Sequence, residues 1–257
     1  MRTIPWAELA TAIHPAPREH IAIVGGGGKT TALFHLTHAL GGRSIASTTT
    51  RMGHGQHGGL RSLIAPDTPA LRTALDAGPV LVWGRHGTHK AIGVAPEQCD
   101  AWFADHSLCE NVIVEADGAR HHPFKAPGPL EPVIPVSVTT VISVIGADAL
   151  GRVIADQCHR PLRVAALAGC SPYERLTPER AARVLTSSDG GGRNVPAGAR
   201  RIVLVTKVPP RSLDPTTHDL AAGLVGELGI AEGDPTQLLA VAFDPVDYRS
   251  RPWPSSD

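Results

Sequence analysis

The residues best equipped to do chemistry fall at two points of the chain. The first is Gly25-Gly26-Gly27-Gly28-Lys29-Thr30-Thr31, which follows directly on the apolar run Ile21-Ala22-Ile23-Val24 and leads into a stretch of helical character. Strand, glycine loop and helix in that order let backbone N–H groups wrap a phosphate chain. They also set the positive end of a helix against it and bring a lysine to its terminal phosphates. Glycine suits such a loop because it takes positive φ and lets the backbone approach closely. Thr30, next after the lysine, stands where a hydroxyl ligates Mg²⁺. The full G-x-x-x-x-G-K-[ST] pattern is not met, because Ile23 stands five places before Gly28; the loop is the shorter G-x-x-G-K-T-T. A dinucleotide site would need G-x-G-x-x-G with an acidic residue about 20 positions on, and Thr48-Thr49-Thr50-Arg51 stand there instead.

The second point is Asn111-Val112-Ile113-Val114-Glu115-Ala116-Asp117-Gly118, where two carboxylates stand at the end of an apolar run. In a parallel sheet the ligand site lies at the carboxyl ends of the strands, and Glu115 and Asp117 there can hold Mg²⁺ opposite the phosphate loop, with Thr30 as the third metal-binding oxygen. The segment that follows is stiffened by Pro123, Pro127, Pro132 and Pro135. It presents Arg120, Lys125 and Glu131 beside the carboxylates, as a grip on phosphate or substrate; Glu115, Asp117, Arg120 and Lys125 are the candidate catalytic residues. His121 and His122 have no Cys or His companion at ligand spacing, so they read as surface histidines rather than metal ligands. Ser47-Thr48-Thr49-Thr50-Arg51 follows another apolar run. Thr49 and Arg51 could there bind a γ-phosphate or a tetrahedral oxyanion, or the segment is a plain polar junction.

Holding these groups together requires a scaffold of short buried strands and helices. Apolar runs at Ile21–Val24, Ser44–Ser47, Val80–Trp83, Val112–Val114, Val138–Ile145, Ile202–Val205 and Leu239–Phe243 read as strands buried on both faces. Helical stretches are predicted at Thr31–Leu40, Pro69–Ala77, Pro178–Leu185 and His218–Leu228. Their alternation predicts an α/β fold, a mostly parallel sheet flanked by helices and similar to a P-loop NTPase. One domain is expected over residues 1–257, with residues 146–201 as a possible helical or cap insertion that contains the tract Gly190-Gly191-Gly192.

Composition narrows the partners. With 24 basic and 24 acidic residues the net charge is zero, which argues against a nucleic-acid or polybasic membrane-surface protein. Cys99, Cys109, Cys158 and Cys170 form no C-x-x-C pair and read as small buried hydrophobes of a reduced cytoplasmic protein. Only four cations are lysine, Lys29, Lys90, Lys125 and Lys207, against twenty arginines. Lys29, Lys125 and Lys207 fall near strand ends, where a compact ammonium serves better than a planar fork.

Taken together, GGGGKTT after a strand, Ser47 to Met52, Glu115-Ala-Asp-Gly-Ala-Arg120 through Lys125-Ala-Pro to Glu131-Pro-Val-Ile-Pro135, Val144 to Gly151 and His159-Arg160-Pro161 resemble the YqeC-like family of selenium-dependent hydroxylase accessory proteins. The similarity runs from about Ile21 to Lys207, and the block from Glu115 to Pro135 is its most specific part. The short loop is also similar to that of the Mur-type amide ligases. What the YqeC-like resemblance implies is a P-loop nucleotide-binding protein that helps mature selenium-dependent molybdenum hydroxylases, with a selenium- or molybdenum-containing small molecule and a client hydroxylase as partners. Where family members carry something like L-N-K-x-D, this chain has Val205-Thr206-Lys207-Val208-Pro209, without the Asn and Asp of a guanine reader. ATP is therefore the nucleotide expected, with Mg²⁺. Three functions remain open: Mg²⁺-dependent NTP hydrolysis or phosphoryl transfer, a non-catalytic nucleotide-gated carrier of an oxyanion or cofactor, and a cofactor nucleotidyltransferase.

Overall fold

The structure, a computed structural model, describes residues 3–229 apart from 14, 54 and 89, together with the strand at 236–242. Nine strands make one sheet in the order β1 (Thr3–Ile4), β14 (Thr236–Ala242), β13 (Arg200–Val208), β11 (Thr140–Gly146), β2 (Glu19–Gly25), β9 (Asn111–Glu115), β3 (Ser44–Thr48), β6 (Val80–Trp83) and β5 (Arg61–Ile64). Every pairing in it is parallel. All seven strands expected from the apolar runs are present, with Phe243 lying outside the described residues.

The central strands alternate their side chains between two cores, as a pleat of period two requires. Ile21 and Ile23 pack on one face with Trp6, Leu9, Leu33 and Leu36. Ala22 and Val24 pack on the other with Leu71, Leu75, Cys99 and Trp102. The helices that cover these faces are α1 (Leu9–Ala12), α2 (Lys29–Leu40), α3 (Thr68–Asp76), α4 (Pro96–Ala104) and α8 (Pro215–Glu227). Their starts follow local chemistry: the Asp67 carboxylate accepts from the Ala70 amide at 2.8 Å, and Asp214 does the same for Thr217 at 3.0 Å. No helix among the described residues is long and apolar enough to cross a membrane.

Residues 146–201 contribute α5 (Ile154–Gln157), α6 (Pro161–Ala168) and α7 (Pro178–Thr186), which pack with α8 against Ile145, Val203 and Val205 of the sheet. The glycine tract is no loose cap. The Gly190 amide donates to Ser187, Gly191 to Val184 and Gly192 to Ser187, so the tract closes the end of α7. Two small sheets escaped the sequence reading. One is the antiparallel set β4 (Arg51–Gly53), β8 (Lys90–Ile92) and β7 (Arg85–His86); the other is the parallel pair β10 (Phe124–Lys125) and β12 (Cys158–His159). These strands are two or three residues long, too short for a period to show.

The sheet order positions the site. The chain leaves β2 toward β3 on one side and leaves β11 toward β13 on the other. Between two neighbouring strands whose connections diverge, a crevice opens at their carboxyl ends. It is bounded here by Gly25–Gly28 after β2 and Gly146–Asp148 after β11.

Candidate functional site

Glycine is required in the loop for two separate reasons. Gly25, Gly27 and Gly28 have φ of 96°, 80° and 127°, which L side chains rarely adopt. The loop is also pressed against its own protein: a Cβ on Gly26 would lie 2.7 Å from the His122 carbonyl, and one on Gly27 2.4 Å from the Gly146 amide. The Thr206 hydroxyl, at the end of β13, donates to the Gly27 carbonyl from a third side. Two loop amides are used internally, Gly26 by the Val144 carbonyl at 2.9 Å and Gly25 by Asp117 at 3.1 Å. The amides of Gly27, Gly28, Lys29, Thr30 and Thr31 find no acceptor among the described residues. Five donors at the start of a twelve-residue helix form a concavity suited to an anion.

Lys29 folds back into this loop. Its ammonium donates to the Gly25 carbonyl at 2.6 Å and lies 3.3 Å from Asp117 and 3.7 Å from Glu115. Burial opposes its charge, but Asp117 and then Glu115 outweigh burial and hold the Lys29 pKa above its ordinary value. Burial pushes the Glu115 carboxyl above the usual carboxylate range, against the pull of Lys29 and of the Thr30 hydroxyl, which donates to it at 2.8 Å. The chain leaves the strand at Glu115 and Asp117 lies two residues beyond it, yet both carboxylates reach Lys29.

Behind Asp117 runs a line of alternating charge. Lys125, with a fully buried side chain, sits 3.0 Å from Asp117 and donates to Glu131 at 2.5 Å and to the Gly118 carbonyl at 2.7 Å. An ammonium has three protons to give, and three acceptors surround this one. As placed here, its protons face Asp117, Glu131 and Gly118 rather than the glycine loop. Glu131 in turn takes a two-pronged contact from Arg160 at 2.6 and 2.9 Å. Burial raises the Glu131 pKa, but the hydrogen bonds from Arg160 and Lys125 win and hold it at about 2.

The other expected residues are more dispersed. Arg120 is exposed and makes no hydrogen bond or ion pair with the described residues. The Thr49 hydroxyl donates to the Val133 carbonyl at 2.8 Å while its amide donates to Glu115, so Thr49 ties the β3 end to the acidic strand. Arg51 is exposed on β4, in a different sheet. Thr31, half-buried, lies in the first turn of α2. Lys207 is half-exposed on β13 and pairs with Asp148, just after β11, at 2.7 Å, and Lys90 is exposed on β8. Cys99, Cys109 and Cys158 are buried and Cys170 partly so; burial pushes the Cys109 thiol up to about 11 and Cys158 to about 12, leaving them unreactive. Sequence reading did not assign Thr206 or Arg160 a role. Thr206 could have been found as the hydroxyl beside the lysine of a late buried strand, and Arg160 from the proline at the next position, which marks a helix start.

The family described as YqeC protein matches residues 21–162 of this chain. A protein described as uncharacterized protein YqeC, from Escherichia coli (strain K12), is 32% identical over 194 residues, which cover 73% of this chain and 75% of that protein. The chain belongs to the YqeC family. The family match spans the loop, Glu115, Asp117, Lys125, Glu131 and Arg160, whereas Thr206 and Lys207 lie beyond it. No solved structure matches the chain.

Chemically, oxygen donors at Thr30, Glu115 and Asp117 suit a hard divalent cation such as Mg²⁺. Among the described residues no three His, Cys, Asp or Glu side chains converge to cage a metal. A cation here would be shared with phosphate and water oxygens, as Mg²⁺ at nucleotide sites usually is.

Proposed function

We propose that this YqeC-family protein binds a nucleoside triphosphate, ATP with Mg²⁺, through Gly25–Thr31 and hydrolyses it or transfers its terminal phosphoryl group. The observation that carries this reading is the row of five amides without acceptors among the described residues, beside a buried lysine held by two carboxylates. A bland glycine turn has no use for that arrangement, and a polyphosphate does. The amides receive phosphate oxygens, and Lys29 exchanges the Gly25 carbonyl for the terminal phosphates. Thr30 and Glu115 hold Mg²⁺, which when bound neutralises phosphate charge. Asp117, fixed by Lys125 and the Gly25 amide, keeps the loop and lysine in register. ATP is favoured over GTP because Pro209 stands where a guanine reader carries its carboxylate.

The resemblance of the Glu115 to Pro135 block supports a place in the maturation of selenium-dependent molybdenum hydroxylases, with a selenium or molybdenum compound and a client hydroxylase as partners. Saturation of Lys125 favours a second reading, the nucleotide-gated carrier: with Lys125 taken up by Asp117, Glu131 and Gly118, hydrolysis is slow until the client contributes a cation. Glu115→Gln and Asp117→Asn test the assignment. Both are expected to cut Mg²⁺-dependent ATP turnover by about 100-fold while ATP affinity stays within a few-fold. Equal turnover in the wild type and both variants would overturn it.

A further inference from the structure

His121 and His122 lack a companion in sequence, but the fold supplies one. Pairing of β10 with β12 sets Phe124 beside Cys158 and Lys125 beside His159, and the His122 and His159 rings stack with centroids 6.0 Å apart and planes within 16°. Neither ring makes a hydrogen bond with the described residues. Parallel rings do not aim their nitrogens at a common metal, so the pair offers donors to something else.

The charges around it are cationic. Burial, then Arg160, Lys125 and Arg120, lower the His159 pKa to about 4, and Glu131 alone opposes them. Arg160 and Lys125 already satisfy Glu131. Arg120, exposed and with no ion-pair partner among the described residues, is the uncompensated charge. The backbone here is also held in an unfavourable conformation: Arg120, His121 and Arg160, with φ of 49°, 66° and 59°, are three of the six non-glycine residues with positive φ among those described. Such residues are strained and persist where the surroundings fix them, often at binding sites. The segment abuts the phosphate loop, since a Cβ on Gly26 would lie 2.9 Å from the Phe124 amide.

We infer that Arg120, His122 and His159 form a subsite for a tetrahedral oxyanion, the second substrate, next to the phosphate loop. A guanidinium fork and imidazole N–H groups match such an anion in shape and charge. The dianion offsets the three cations that oppose protonation of His159, so binding and proton uptake reinforce each other. Only the word "second" rests on the nucleotide reading; the anion site itself stands on its own residues.

Orthophosphate titration of ¹⁵N-labelled protein, followed through the imidazole resonances and the Gly25–Gly28 amides, separates the two sites. Expected are saturable shifts of both His122 and His159 and a rise of the His159 pKa from about 4 on saturation. Arg120→Ala, a change at an exposed residue, is expected to weaken the histidine response at least about tenfold while leaving the glycine amide response as it was. Histidines indifferent to orthophosphate while the glycine amides move, or an unaltered response in Arg120→Ala, would overturn the subsite and leave the phosphate loop standing. Histidine shifts with ATP but none with orthophosphate would also overturn it, by assigning these residues to the nucleotide's own phosphates. Glycine amides that stay still under both ligands while the histidines respond would instead sink the nucleotide reading alone.

Discussion

Strand β2 has buried charge at both ends, and the two ends are built to opposite plans. At the amino end Glu19 is 1% exposed. It accepts from the Ala16 amide at 2.9 Å, from the Thr139 hydroxyl, from Thr140 at 3.0 Å and from Arg200 at 3.4 Å. Three of those four donors are neutral, so the carboxylate is a closed knot. At the carboxyl end Glu115 and Asp117 face two lysines, a hydroxyl and the Gly25 amide, and five amides beside them have no acceptor among the described residues. A buried carboxylate alone does not mark a site. Donor amides gathered on a glycine loop beside a buried lysine are the arrangement an anion fits.

The contrast can be broken most forcefully at Glu19. Glu19→Ala leaves buried hydroxyls and an amide unpaired and is expected to lower the unfolding free energy by about 3 kcal/mol in a urea titration, with ATP affinity unchanged. Lost ATP affinity at full stability would erase the distinction between the ends. A smaller effect sharpens it. His20, fully buried beside Glu19, is lowered to about 4 by burial, against the opposing pull of Asp100. A depressed folded pKa gives stability that is complete above the unfolded value of about 6.5 and is lost as pH falls toward about 4. His20→Phe should therefore flatten part of the stability loss between those pH values, a loss to which the lowered pKa of His159 also contributes. An identical pH profile in wild type and His20→Phe would show that this end does not titrate as a buried neutral imidazole.

Legibility in the sequence followed the same divide between local and distant. Every long buried strand announced itself by an apolar run, and Gly25–Thr31 did so by composition, since its constraint is local φ and close approach. β5 was missed because Arg61 and Ser62 are exposed on an edge strand and break the pattern. α4 was missed although Pro96 at its first turn and Glu97 after it are start signals, because Cys99 and Trp102 are its only buried side chains. Glu115 and Asp117 could be read as a pair, but that Lys125 would be consumed in holding Asp117 could not. Its third acceptor, Glu131, lies on a loop whose course depends on Arg160, 29 residues further along. Likewise His122 and His159 meet only through β10 and β12, which no periodicity could show.

The proposed binding of phosphate by Gly25–Thr31 is tested most directly by calorimetric titration of ATP with Mg²⁺ into the wild type and into Lys29→Ala, with circular dichroism confirming that both are folded. Saturable binding by the wild type is expected, weakened about 100-fold or more in Lys29→Ala by loss of a buried charge-assisted contact. Undiminished ATP affinity in a folded Lys29→Ala protein would contradict the assignment of Gly25–Thr31 to phosphate.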